Sequence, residues 1–331
     1  MAKTLWVNGF NGTTQVNSTT TVFFTCACSG QVAQTSANEA QAKIIQHAAG
    51  TLADLQITVA SNSMTDAVTL ITRKNGADGG QSITIAGGAT GQFSDASGSD
   101  TIANNDTVNY KMSSPIDGGP GNLKFGLIAT TFAATTNTVV RYAAVNFPDL
   151  SDGNIYYFGL SYRGDTSGEN TTEALVRFDT NAVAVYKNMY VYVSTNANVT
   201  GGQLTLNQNG VNTTVTITIP ALTTGVLEDD FSITGNSVTT AANDDMNYEW
   251  QSPIGLALTM QVISIAATST DKTSHSISYR VGMGVMAPGL TRYYVVGGGG
   301  SFNDTEAFLK AKMKMAATTS NLVIYVSSNT I

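Results

Sequence analysis

Apolar and polar side chains alternate with a period of two in three places along the chain: Leu55-Gln56-Ile57-Thr58-Val59, Met189-Tyr190-Val191-Tyr192-Val193 and Leu322-Val323-Ile324-Tyr325-Val326. Successive side chains of a strand point to opposite faces, so these runs predict half-buried strands with one apolar face turned inward. Each run stands at the same distance from a Glu-Ala pair, at Glu39-Ala40, Glu173-Ala174 and Glu306-Ala307, and each Glu is followed at equal spacing by an Asn, at Asn62, Asn196 and Asn329. The pattern therefore recurs with a period near 134 residues. That is too long for a solenoid unit and right for an independently folding domain.

The first two copies continue together through Asn75-Gly76 and Asn209-Gly210, Ile83-Thr84-Ile85 and Ile217-Thr218-Ile219, and Gly91 with Asp95 against Gly225 with Asp229. A four-residue loop insertion then shifts the register, so that Asn109-Tyr110 corresponds to Asn247-Tyr248. Two half-units alternate as a, b, a, b, a. The expected organisation is a first β-sandwich over residues 1–138, a second over 139–275 and a partial third unit over 276–331. A lone half-unit a would leave strand edges and an apolar face uncovered, so residues 276–331 are expected to dock on the second domain or to pair with a neighbouring subunit.

Half-unit a opens on aromatic and β-branched runs, at Thr21 to Thr25, Ile155 to Tyr162 and Arg292 to Val296. Half-unit b carries Val68 to Lys74 and Ser82 to Ile85 on either side of Asn75-Gly76, a hairpin signal, with a gap that predicts a turn of more than two residues. Gly91 to Asp95, Asp106 to Met112 and Leu123 to Phe132 supply three more strands. Ala33 to Ala49 has some helical character, but its match, Ala174 to Val185, is β-branched and alternating, and both read as strand and loop. About eight antiparallel strands in a unit of this size predict an all-β, jelly-roll-like sandwich, with an immunoglobulin-like sandwich as the rival.

Composition narrows the function. Only 12% of the 331 residues are charged and the net charge is −7, which argues against binding to a phosphate backbone. There is no run of eighteen apolar residues, and the start Met-Ala-Lys-Thr-Leu-Trp-Val lacks the apolar stretch of a secretory signal, so synthesis in a cytoplasm and no membrane partner are expected.

The candidate chemistry is thin. Cys26 and Cys28 lie two apart on an expected strand and read as small buried thiols, with no second Cys or His pair to complete a zinc site. His47 and His275 fall at different places in the repeat, without a partner that would make either a catalytic base. Trp6 and Trp250 read as core or interface anchors. Asp95, Asp100, Asp106, Glu228-Asp229-Asp230 and Asp244-Asp245 lack the spacing of a calcium loop and read as strand ends and turns. Gly297 to Gly300 lacks the Lys-Ser/Thr of a phosphate loop and reads as a pliable loop. Sequons such as Asn11 to Thr13 and Asn303 to Thr305 carry no meaning without secretion. No catalytic residue, metal or cofactor is expected.

The segment Leu55 to Gly91 joins an alternating strand ending in Ser-Asn, an Arg-Lys-Asn-Gly turn, Ile-Thr-Ile and a Gly-Ala-Thr-Gly stretch leading to Asp95. It resembles repeats in virion structural proteins of tailed bacteriophages, such as capsid cement or decoration proteins and head or tail fibres. That resemblance implies a non-enzymatic role on a particle surface, location in the virion, and two partners: the chain itself, with a trimer favoured, and the major capsid protein or another virion protein. The alternatives are an extracellular filament subunit assembled by strand donation and a carbohydrate-binding adhesin.

Overall fold

A computed structural model describes residues 3–9, 15–17, 21–26, 37–114, 121–147, 153–160, 173, 178–180, 183–229, 236–251, 255, 258–269, 293–294 and 302–303. Among them there is no α-helix; the elements are antiparallel strands and a short 3-10 turn at Glu39–Gln41, with Glu173 also in 3-10 conformation.

The first unit is two facing sheets. One runs β1 (Lys3–Gly9), β11 (Asn122–Ala134), β5 (Gly50–Asn62), β8 (Gly91–Ser94), with β2 (Gln15–Asn17) also on β11 and β9 (Ser99–Ile102) also on β5. The other runs β3 (Thr21–Phe24), β10 (Asp106–Ser113), β6 (Val68–Lys74), β7 (Ala77–Ile85), with β4 (Ile44–Gln46) also on β10. The main strands pair from the ends of the unit inward, β1 with β11, β3 with β10, β5 with β8 and β6 with β7, all antiparallel. A long hairpin rolled over itself in this way is the jelly roll, and the immunoglobulin-like rival is set aside.

The second unit repeats it. β12 (Thr138–Phe147), β21 (Leu258–Ser269), β15 (Ala184–Asn196) and β18 (Gly225–Glu228) make one sheet, with β19 (Ser237–Thr240) on β15. β13 (Ile155–Phe158), β20 (Asp245–Gln251), β16 (Gly202–Gln208) and β17 (Val211–Ile219) make the other, with β14 (Phe178–Asp179) on β20. Of the expected third unit, β22 (Tyr293–Tyr294) and β23 (Phe302–Asn303) form an antiparallel pair, and the rest of 276–331 lies outside the described residues.

Backbone conformation shows how closely the second unit copies the first. Left-handed φ values recur in matched pairs: Asp54 and Asn188, Asn75 and Asn209, Asn105 and Asn243, Gly91 and Gly225. At Asn75-Gly76 and Asn209-Gly210 both residues have positive φ and the ladders close as Lys74↔Ala77 and Gln208↔Val211, so these are two-residue turns of the I′ type. The longer turn expected from the sequence is wrong. Ala77 to Gly80 is glycine-rich yet continues the strand: a Cβ at Gly79 would run into Asp100 and Thr72, so glycine is required there, and a bulge beside Arg73 absorbs the change of register.

Each copy packs its core differently. Leu55, Ile57 and Val59 face the first core, and Met189, Val191 and Val193 the second, as the alternation predicts. Trp6 stacks on Phe132 with ring centroids 4.8 Å apart, and Trp250 is fully buried in the second core. Trp250 takes the place of Met112 in the ladder, and Gly202 takes that of Val68. A Cβ on Gly202 would sit within 3.0 Å of three carbons of the Trp250 ring, so the large residue requires the glycine.

One feature of the alternation is corrected. The intervening positions were expected to face solvent, but Gln56, Thr58 and Tyr190 are buried as well. Tyr190 and Val140, on the outer face of their sheet, join the first core, with Tyr192 packed against it, and β21 lies against β4. The outer face of the second sandwich is thus the joint between the two.

Candidate interaction surface

The repeated Glu sits on the 3-10 turn, whose first turn is capped by Asn38 Oδ1 accepting from Ala40 N–H at 3.1 Å. Arg73 on β6 reaches it with two hydrogen bonds, Nε to Glu39 Oε1 at 3.0 Å and Nη2 to Oε2 at 3.2 Å. The same guanidinium bonds Asp78 and the Gly76 carbonyl, and Lys111 Nζ donates to Asp78 at 2.6 and 2.7 Å. Burial opposes ionisation of Glu39, but Arg73 and Lys43 outweigh it and hold the carboxyl below its ordinary range. The chemistry is a planar, two-pronged ion pair that ties the turn to the sheet, not an acid poised to give up a proton.

The second copy rebuilds this place with fewer charges among the described residues. Arg73, Asp78 and Lys111 correspond to Asn207, Asn212 and Glu249. Asn207 and Asn212 donate to Glu249 at 3.3 and 2.9 Å, and Asn247 donates to Glu173 at 3.0 Å. Among the described residues, a charge-paired surface on one sandwich is an acidic, amide-lined surface on the other.

Asp95, Asp106 and Asp244 shape turns and Asp245 opens β20, as expected, whereas Asp229 is buried and Asp230 lies outside the described residues. Asp106 and Asp244 accept from Ala103 and Ala241 N–H at 2.7 and 2.6 Å and from the turn residues Asn75 and Asn209 at 2.7 and 2.8 Å. Asp95 is partly desolvated, yet it accepts the N–H groups of Ser82, Gly98 and Ser97, which draw its pKa down to about 2. Asp100 departs from the expectation. It is buried in the sheet, accepting from Thr72 Oγ1 at 2.6 Å, Gln81 Nε2 at 3.2 Å and Gly80 N–H. Its counterparts in the second copy are all apolar: Val238 for Asp100, Leu206 for Thr72 and Val215 for Gln81. Among the described residues no three His, Cys, Asp or Glu side chains gather as a metal group.

Cys26 is buried and its thiol is pushed well above the ordinary range by desolvation. Cys28, His275 and Gly297 to Gly300 lie outside the described residues. His47 is buried, with Nδ1 3.4 Å from Asn105 Oδ1, and burial lowers its pKa to about 4. A base lowered from 6.5 to about 4 stays neutral in the fold while the unfolded chain takes up a proton. Its contribution is therefore whole above pH 6.5 and is lost as pH falls toward 4, about 3 kcal/mol in all. His47→Asn, the residue at the matching position Asn181, is expected to flatten that part of the stability–pH curve. Urea unfolding at neutral and mildly acidic pH checks it.

One further feature carries no sequence signal, because it lies in the exposure of matched positions. Among the described residues the large apolar side chains left in solvent are Ile155, Val183, Val199, Val211, Leu222 and Val226, all on the second sandwich. The first sandwich has Thr21, Ala49, Thr65, Ala77, Gly88 and Gln92 at those places. Compared with known proteins, the sequence matches no family model and no curated protein.

Proposed function

We propose that the protein is a non-enzymatic structural component of a bacteriophage particle, a cement or decoration protein that binds across joints between capsid subunits and stabilises the shell. The observation that carries this reading is the contrast between frame and surface. The two jelly rolls share their ladders and left-handed turns, while Arg73, Asp78 and Lys111 become Asn207, Asn212 and Glu249, and small or polar surface residues become exposed Val, Leu and Ile. A frame kept in duplicate while its outer faces are rebuilt suits a chain that acts by presenting surfaces. The phage assignment itself rests on the resemblance of Leu55 to Gly91 to virion repeats, and on the jelly roll only by fold-level analogy. A ligand that binds the closed shell and not its separated subunits stabilises the shell by mass action.

The test is co-sedimentation of the purified full-length chain with capsids lacking it. The expected result is saturable binding at a fixed number of chains per capsid subunit. Recovery of all the protein in the supernatant at every concentration would exclude the reading.

A further inference from the structure

Leu222 has a φ of 55° and is 64% exposed. A left-handed backbone at a side chain with a Cβ costs about 1 kcal/mol or more, and such a conformation is ordinarily given to glycine. The first copy does so with Gly88, φ 71°, where an added Cβ would meet nothing within 4 Å. Leu222, left mostly in solvent, therefore gains little packing within the sandwich to offset its strain. Strained residues that the fold does not use point to a role outside it.

Leu222 does not stand alone. Its N–H donates to the Asn198 carbonyl at 2.9 Å, which brings the loop of Val199, 74% exposed, alongside it. β18 begins three residues later and carries Val226, 52% exposed, directly opposite Tyr192 in the ladder. Tyr192 packs against the first core beside the buried Tyr190. The apolar face that joins the two sandwiches thus continues past the joint to Val226, with Leu222 and Val199 at the corner of the sheet beyond it.

We infer that Val199, Leu222 and Val226 form a self-association surface whose occupant is a second copy of this chain. Two observations select that occupant. The surface is continuous with a face that already binds a jelly roll of this chain. The charge is also unevenly placed: residues 139–275 hold five Lys and Arg against thirteen Asp and Glu, whereas residues 276–331 hold five against two. Middle regions repel each other and attract the basic end of another copy, which favours a head-to-tail contact over a symmetric one. This surface and its test are independent of the capsid reading, because the association is read without any particle present.

Light scattering of the full-length chain across a concentration series, at low and high salt, tests it. Wild type is expected to form oligomers that weaken as salt rises. Replacing the three residues by their first-copy counterparts, Val199→Thr, Leu222→Gly and Val226→Gln, is expected to weaken association about a hundredfold. Leu222→Gly alone is expected to weaken association while leaving the melting temperature of the dissociated chain unchanged or higher, a combination that a packing residue does not produce. Three results would overturn the inference: a monomeric wild type at every concentration, an unchanged mass in the triple variant, or a lowered melting temperature in Leu222→Gly alone.

Discussion

Gly202→Val is expected to destabilise the second sandwich by about 3 kcal/mol, and adding Trp250→Met to restore most of the loss. The first change drives a branched side chain into the Trp250 ring, which already lies where a Cβ would be. In a β-strand there is no slack to receive it, since Gly202 is fixed in its ladder and the indole is wholly buried. Trp250→Met alone is expected to cost about 3 kcal/mol through the cavity it leaves. Together they recreate the pair Val68 and Met112, both fully buried in the first core. Calorimetric unfolding of the four proteins closes the cycle. Additive losses in the double variant would show that the two copies do not share one packing frame.

The buried polar group of the first copy carries the second large effect. Asp100→Val strands one Gln81 donor and the Gly80 N–H inside the sheet and leaves the Thr72 hydroxyl only its longer bond to the Gln81 carbonyl at 3.4 Å, and is expected to cost about 3 kcal/mol. The triple variant Thr72→Leu, Gln81→Val, Asp100→Val installs the residues that the second copy holds as Leu206, Val215 and Val238. It is expected to recover more than half of the loss, because an apolar cage of similar volume replaces a polar one that has lost its centre. Recovery is incomplete because Gln81 also accepts from Leu55 N–H at 2.9 Å and donates to the Leu52 carbonyl at 3.1 Å. Urea unfolding midpoints of wild type, single and triple variants measure this. A triple variant less stable than the single one would mean that the cage itself differs between copies.

Much of the fold is legible in the chain because repetition reads the same signal twice. Period-two alternation at Leu55 to Val59 and Met189 to Val193 marks the inward faces correctly, since burial of alternate side chains is local to a strand. What alternation does not encode is what lies on the other side, and so the burial of Tyr190 against the first sandwich was missed. The tight turn at Asn75-Gly76 was also misread. The strand continues there through Ala77, Asp78, Gly79 and Gly80, residues with little strand propensity, and Gly79 stands where Asp100 crowds the space a Cβ would take. β9 and β19, each four residues long with three of the four polar, offered too little pattern to stand out. Of the interaction surface, the sequence held the letters Val199, Leu222 and Val226 but not their exposure, which depends on which loop each occupies.

The proposed role is binding to a closed shell. Differential scanning calorimetry of capsids with and without saturating protein measures that most directly. The disruption temperature of the shell is expected to rise with added chain until the sites are filled. A shell that melts at the same temperature with and without the protein would contradict it.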